Sequence, residues 1–239
     1  MVGHTISLSQ KIAAIGVHLL TAFGVVLGFA ALNAVIDGND RLMWLLLGGA
    51  FLIDGIDGPL SRQVNITQRL PEYDGAVLDL LVDYLTYVLV PVFYLYRLDF
   101  LPSPLAPWFA ASILMASLYT FGNRNMKSQD HYFVGFPAVW NVVAFYFFAY
   151  HTSVWLNAIV VLFLVVLTFT RIKMVHPFRV RAWRPATLAF VFLWSAGALT
   201  IILAPERVYD GALWVIGLTS FYFLGISLWR TWAGPDGQA

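Results

Sequence analysis

The chain has 239 residues, 60% of them hydrophobic and 11% charged, with a formal net charge of +1 and a mean hydropathy of +0.75. So apolar a composition excludes a soluble globular protein and marks an integral membrane protein, and a near-neutral charge gives no reason to expect nucleic acid as a partner. No cysteine is present, which rules out disulfides and leaves the redox compartment open.

The first residues, MVGHTISLSQK, are mostly polar and carry no evident cleavable signal; the apolar stretch after them is long enough to span. Eight apolar segments follow, over residues 12–36, 42–60, 76–97, 104–121, 132–150, 153–170, 185–203 and 211–229. A helix rising about 1.5 Å per residue needs about 20 residues to cross the hydrocarbon core, and each segment approaches or exceeds that length. Backbone groups in lipid must be satisfied internally, and the alternation expected of barrel strands is missing, so helices are the reading. Only His151 and Thr152 separate the fifth and sixth segments, which predicts a tight hairpin. The expectation is an all-α integral membrane protein: one domain over 1–239, built as a polytopic bundle of about eight transmembrane helices.

Lys11, Arg62, Arg69, Arg124, Lys127, Arg171, Lys173, Arg179, Arg181, Arg184 and Arg230 fall on one side of that scheme, and Arg41, Arg97 and Arg207 on the other. The bias predicts that both termini and the loop between the second and third segments are cytoplasmic.

Within those two segments the chain reads Asp54-x-x-Asp57-Gly58-x-x-Ser61-Arg62 and, after twelve residues, Gly75-x-x-x-Asp79-x-x-x-Asp83. A carboxylate near a bilayer centre costs about 2.5–3.5 kcal/mol, so four unpaired ones would oppose insertion by about 10–14 kcal/mol if the costs added. The nearest cationic side chain is the single Arg62, so divalent cations bound between the segments are the economical answer. Asp54 and Asp57, spaced i, i+3, share one helix face; Asp79 and Asp83, spaced i, i+4, share another. Consecutive spans are antiparallel, so both pairs lie at similar depth near the same interface. Such an all-oxygen set suits Mg²⁺ or Mn²⁺ rather than a soft metal. Two such ions could clamp the oxygens of a phosphoryl transfer. Gly58 and Gly75 leave room for a ligand against the backbone, and Arg62 offers a planar fork for phosphate. From the residues alone the reading is an intramembrane divalent-metal site on the cytoplasmic side that acts on phosphate. A cation transporter using the acidic cluster is the rival from another class.

The pattern resembles the signature of the CDP-alcohol phosphotransferase family, with Ser61 where that signature has alanine and a longer gap between Arg62 and Gly75. The lengthened connection, with RLPEYDGAVLDLLVDYLTYVLVPVFYLYR and the later FVGFPAVWNVVAFYF, is similar to the bacterial branch of the family that uses choline as acceptor. The resemblance implies that CDP-diacylglycerol and choline are the substrates and that phosphatidylcholine and CMP are the products. It further implies two divalent cations, Mn²⁺ or Mg²⁺, a homodimer, and a multi-pass protein of the bacterial inner membrane. Asp54, Asp57, Asp79 and Asp83 would hold metal, Asp83 would also be the general base on the alcohol, and Gly58, Ser61, Arg62 and Gly75 would line the CDP pocket. Serine, inositol phosphate or glycerol phosphate as acceptor is the alternative within the family, because the motif reads the donor.

Several weaker signals remain. A quaternary ammonium is received by aromatic faces, which makes Tyr84, Tyr87, Tyr132 and Trp140 candidates for choline contact, with Phe136 nearby. The loop RNMKSQDH offers Arg124 and Lys127 as accessory phosphate ligands, and the basic loop RIKMVHPFRVRAWR could attract an anionic lipid. His18 and Asn141 are polar groups inside apolar segments, expected to find structural partners in the bundle.

Overall fold

The computed structural model describes residues 7–180, 183–204 and 209–233, so Arg181 and Arg207 of the basic tally lie outside the described residues. Its contacts divide the chain into two compact units, Met1–Val90 and Pro91–Ala239.

The first unit opens with α1 (Leu8–Ile36). The helix begins before residue 12 because Ser7 and Gln10 form a capping box: the Ser7 hydroxyl accepts from the Gln10 amide, and the Gln10 side chain accepts from the Ser7 amide at 3.1 Å. Gly38, at φ +67°, turns the chain, and Asn39 caps α2 (Asp40–Val64) by accepting from the Leu42 amide at 3.0 Å. Asn65 ends α2 in the left-handed conformation (φ 48°), and the lengthened connection holds the single turn α3 (Ile66–Arg69). Asp74 caps α4 (Gly75–Asp83), accepting from the amides of Ala76 and Val77. A π-helical turn, Tyr84–Leu89, follows directly and leads into α5 (Val90–Arg97), so that Gly75–Arg97 forms one span.

What α1 buries is small: Ala14, Val17, Thr21, Gly24, Gly28, Ala31, Ala34 and Val35, recurring at helical spacing. A methyl at Gly24 would stand 2.5 Å from Val82 Cγ1, and one at Gly28 would stand 2.7 Å from Leu85 Cδ2. Gly24-x-x-x-Gly28 is therefore the groove into which the third span packs. In lipid, where apolar burial drives little helix association, such close backbone approach supplies the dispersion contact instead.

The second unit contains α6 (Ala106–Gly122), α7 (Trp140–Ala149), α8 (Val154–Thr168), α9 (Arg184–Leu203) and α10 (Tyr209–Trp232). Among the described residues, the short strands β1 (Phe133–Val134) and β2 (Lys173–Met174) pair antiparallel. Hydroxyls tie the helices together. Trp194 donates to Tyr146 at 2.7 Å, Tyr146 contacts Ser220, and Tyr150 donates to the Leu213 carbonyl at 2.7 Å. The fully buried Asn157 donates to the Phe100 carbonyl at 2.9 Å and accepts from Thr152 across the tight hairpin. Ser227 and Thr231, one turn apart on α10, accept from the amides of Val175 and Lys173.

All eight apolar segments contain helix, but the count of spans differs from the sequence expectation. Among the described residues, five helices are long and apolar enough to cross a membrane: Leu8–Ile36, Asp40–Val64, Gly75–Arg97, Arg184–Leu203 and Tyr209–Trp232. The segments expected over 104–121, 132–150 and 153–170 give helices of 17, 10 and 15 residues. At about 1.5 Å per residue the shortest covers about 15 Å, half the hydrocarbon thickness. The loss in 132–150 has a local cause: Gly135 at φ +81° and Ala138 at φ +58° flank Pro137, so helix starts only at Trp140. Gly135 is obligatory, since a Cβ there would lie 2.4 Å from the Thr168 carbonyl oxygen. The outer faces are apolar, with Phe192, Trp214 and Phe221 each 72% exposed, as a lipid-facing surface requires.

A buried charge on α10 anchors one polar loop of the second unit. Arg230, which the sequence tally places on the cytoplasmic side, is 4% exposed and paired with Asp130. Burial pushes the Asp130 carboxyl up, but hydrogen bonds from Arg230 and Ser128 and the guanidinium charge bring it below its ordinary value. His176 stacks on Phe133 with centroids 4.9 Å apart and planes 7° from parallel. Burial, together with Arg179, Lys127 and His131, pushes its pKa down to about 3.

This makes a pH prediction. The folded protein keeps His176 neutral down to about pH 3, whereas the unfolded chain takes the proton near pH 6.5. The unfolded state therefore binds more protons between those values, and stability falls as pH drops through the window. The detergent-solubilised protein should melt lower at pH 5 than at pH 7.5, and His176→Phe, which keeps the stack, should flatten that dependence. An identical pH dependence in both proteins would contradict the assignment.

Candidate functional site

The expected carboxylates meet in the first unit. Asp54, Asp57 and Asp79 each direct one oxygen into a common space, and those oxygens all lie within 4.8 Å of one another. Asp57 is buried, 5% exposed, while Asp54, Asp79 and Asp83 are half-buried. Asp83 does not join the trio at that spacing; it lies one helical turn beyond Asp79, at the end of α4. The site is assembled by helix periodicity. The i, i+3 pair comes from the carboxyl-terminal half of α2 and Asp79 from the first turns of α4.

Two hydroxyls that hold the trio come from elements the motif does not include. Thr21 of α1 donates to Asp57 Oδ2 at 2.6 Å, and Tyr87 of the π turn donates to Asp54 Oδ2 at 2.6 Å. Each donor orients its carboxylate through Oδ2. Tyr87 also stands within electrostatic reach of Asp83 and Asp79. The widened turn directly after Asp83 is a local departure from α-helix of the kind that accompanies functional sites. Thr21 was missed from sequence. Its signal was the polar and small stripe His18-x-x-Thr21-x-x-Gly24-x-x-x-Gly28, which shares one face of α1.

Around the trio, the Arg62 Nη1 lies 3.5 Å from the position of a Cβ at Gly58, so the guanidinium folds back along that glycine. Ser61 and Arg62 border a cleft of about 400 Å³ completed by Asn65, Ile66, Thr67 and Gln68, all from the end of α2 and its connection. Pro59 within α2 has no N–H, which leaves the Gly55 carbonyl without its helical donor beside Asp54. Gly75 faces His18: a Cβ there would stand 2.6 Å from His18 Cε1.

Among the aromatic candidates, Tyr84 is half-buried next to Asp83, and the Tyr87 hydroxyl is held by Asp54. Tyr132 and Trp140 belong to the second unit. Tyr132 is 2% exposed with the Arg230 guanidinium 5.6 Å over its ring. Trp140 is fully buried, donates to Ser117 at 3.0 Å and meets Phe136 edge-on. Arg124 and Lys127, also in the second unit, are exposed, and the Lys127 ammonium lies 5.6 Å over Phe133. Asn141 finds a local partner, accepting from the Val142 amide at 2.9 Å. His18 does not follow expectation: its Nε2 is buried and has no hydrogen-bond partner among the described residues.

The donor set fits a hard divalent cation: three carboxylates at mutual ligand spacing, two of them already oriented by hydroxyls. Mn²⁺ should therefore raise the melting temperature of purified protein, and Asp57→Asn should abolish that rise. In metal-free buffer the same variant should melt no lower than wild type, because removing one of three like charges relieves repulsion. A Mn²⁺-induced rise unchanged by the substitution would contradict the metal site.

Comparison with known proteins agrees with this chemistry. Residues 17–170 match the model of a family described as CDP-alcohol phosphatidyltransferase. A protein of Pseudomonas aeruginosa named phosphatidylcholine synthase is 46% identical over 224 residues, covering 93% of each chain. Proteins of the same name from Mesorhizobium japonicum and Legionella pneumophila are 38% and 32% identical, covering 90% and 95% of this chain and 81% and 91% of theirs. The matched range contains the whole carboxylate site together with Thr21 and His18, and the chain belongs to the CDP-alcohol phosphatidyltransferase family.

Proposed function

We propose that the chain transfers the phosphatidyl group of CDP-diacylglycerol to choline, forming phosphatidylcholine and releasing CMP, as one catalytic domain over residues 1–239. The observation that carries this reading is the intramembrane trio Asp54, Asp57 and Asp79, set in a family whose chemistry is alcohol-for-CMP exchange. The similarity of most of the chain to proteins named phosphatidylcholine synthase selects the acceptor.

The chain's own residues supply the steps. Asp54, Asp57 and Asp79, with Asp83 at the rim, would hold two divalent cations, Mn²⁺ or Mg²⁺; when bound, these supply positive charge that offsets the charge developing on the transferred phosphate. Thr21 and Tyr87 keep the Asp57 and Asp54 carboxylates oriented. Arg62, laid along Gly58, with Ser61 and Gly75, receives the CDP part of the donor. Asp83 takes the choline hydroxyl proton, the choline oxygen attacks the phosphorus that carries diacylglycerol, and the bond from that phosphorus to the CMP oxygen breaks. Asp83 is suited to this because it lies outside the trio, one turn along the helix. Choline contact is assigned to Tyr84 and the Tyr87 ring beside it, with Tyr132 and Trp140 as the remaining aromatic candidates. Arg124 and Lys127 are accessory phosphate contacts in this reading.

The acyl chains of the donor need not leave the bilayer, which explains why the chemistry belongs in a multi-pass membrane protein. We place the site and both termini on the cytoplasmic side of a bacterial inner membrane, in an eight-segment, homodimeric protein. In the first unit Lys11, Arg62 and Arg69 flank one side and Arg41 the other, which favours this orientation.

Membranes containing the protein should release CMP from CDP-diacylglycerol when choline is added, and not with serine, inositol phosphate or glycerol phosphate. Asp83→Asn should lower turnover by about 10²–10⁴-fold, the scale of a lost general base, without raising the Mn²⁺ requirement. Release with another alcohol in preference to choline would overturn the acceptor. Recovery of Asp83→Asn by excess Mn²⁺ would make Asp83 a ligand instead of the base.

A further inference from the structure

His18 lies one turn before Thr21 on the same face of α1, and Thr21 is the residue that donates to Asp57. Its ring is held on two sides. Tyr73 packs at 4.6 Å between centroids, tilted by 57°. The ring's second neighbour is Gly75, where the three atoms nearest an added Cβ all belong to His18: Cε1 at 2.6 Å, Nδ1 at 3.3 Å and Nε2 at 3.8 Å. Gly75 opens α4, four residues before Asp79, a separation of about 6 Å along the helix. The imidazole is thus fixed against the entrance turn of the helix that carries the metal-site carboxylate, and its Nε2 is buried without a partner among the described residues. An unsatisfied buried nitrogen is costly, and a fold that packs two neighbours around the ring to hold it there is arranged for a partner that arrives with the ligand.

We infer that His18 is a substrate-contacting residue that hydrogen-bonds through Nε2 to a phosphate oxygen of the donor's nucleoside diphosphate, and that position 75 is glycine to admit the His18 ring. The inference rests on the reaction proposed above. Three features favour the diphosphate over the other groups present. The ring lies on the Gly75 side of the trio and not on the Asp83 side where the alcohol is deprotonated. A neutral or protonated imidazole can each donate to a phosphate oxygen, whereas neither can pair with a quaternary ammonium. Asp57 is already engaged by Thr21 and does not turn to His18.

The test uses full-length protein in detergent, comparing wild type, His18→Ala, His18→Gln, Gly75→Ala and the His18→Ala/Gly75→Ala double variant. His18→Ala should raise the KM for CDP-diacylglycerol and the inhibition constant of CDP by about ten- to a hundredfold, the effect of one hydrogen bond to a charged group. The KM for choline and the Mn²⁺ activation constant should stay within about twofold of wild type. His18→Gln, which keeps an N–H donor, should recover part of the loss. Gly75→Ala should weaken CDP binding in the wild-type background and add little once His18 is alanine, because its clash is with that ring. An unchanged donor KM, or a fall in melting temperature with no change in donor KM, would overturn the inference in favour of packing. A raised Mn²⁺ constant would overturn it in favour of a metal ligand. Additive effects of the two substitutions would overturn the link to Gly75. If wild-type protein releases no CMP with choline, the reaction above fails. Stabilisation of wild type by CDP in a thermal shift, absent in His18→Ala, would still support the contact, and its presence in both would overturn it.

Discussion

Placing Asp57 in the interior of an apolar helix bundle is the constraint around which the first unit is built. A carboxylate 5% exposed among membrane-spanning helices needs compensation at short range. The chain provides it in three layers. Thr21 contributes a hydroxyl donor at 2.6 Å. Asp54 and Asp79 bring further oxygens to ligand spacing, an arrangement whose like charges a bound divalent cation would offset. The third layer is geometric: Gly24 and Gly28 let α1 pack closely on the third span, which carries Asp79, with Val82 and Leu85 filling the space a side chain would occupy, while the same helix reaches Asp57 of α2 through Thr21. A change at Gly24 thus acts on the carboxylate site through backbone distance, without touching a ligand.

The second unit solves a different problem, that of carrying polar loops and short helices. Several of its polar groups are paired within the unit: Asn157 with Phe100 and Thr152, Ser227 and Thr231 along the β2 edge, and Arg230 with Asp130. Loss of Asp130 would leave the Arg230 guanidinium, 4% exposed, charged and desolvated, whereas Asp130 itself is 36% exposed, so the penalty for breaking the pair falls on the arginine. The pair ties the loop after α6 to the end of α10, and the Arg230 cation over Tyr132 holds an aromatic ring in the same place.

Much of the site was legible in sequence because a helix converts spacing into position. The i, i+3 and i, i+4 aspartates had to share faces, and consecutive spans had to bring those faces to one depth; Asp54, Asp57 and Asp79 meet accordingly. What spacing could not supply was the distance of each carboxylate from the others, and Asp83, one turn beyond Asp79, is not among the three at mutual ligand spacing. Partners from another helix were equally hidden, since nothing in the motif says which threonine or tyrosine faces it. Hence Thr21 went unread and Tyr87 was read only as a ring. The spans were legible where apolar length coincided with helical backbone. Over 132–150 apolar length and helical backbone part company, because hydropathy is blind to Gly135, Pro137 and Ala138 turning the chain. The pairing of Arg230 was not legible because Asp130 lies 100 positions away.

The account's central claim is that the carboxylate trio is a divalent-cation site on which phosphatidyl transfer depends. The most direct measurement titrates Mn²⁺ into one metal-free sample of wild-type protein and follows bound ion by equilibrium dialysis and choline-dependent CMP release together. The account predicts no release at zero occupancy and a rise in turnover that tracks occupancy to saturation. Full turnover in the metal-free sample, or saturation of binding with no gain in turnover, would contradict it.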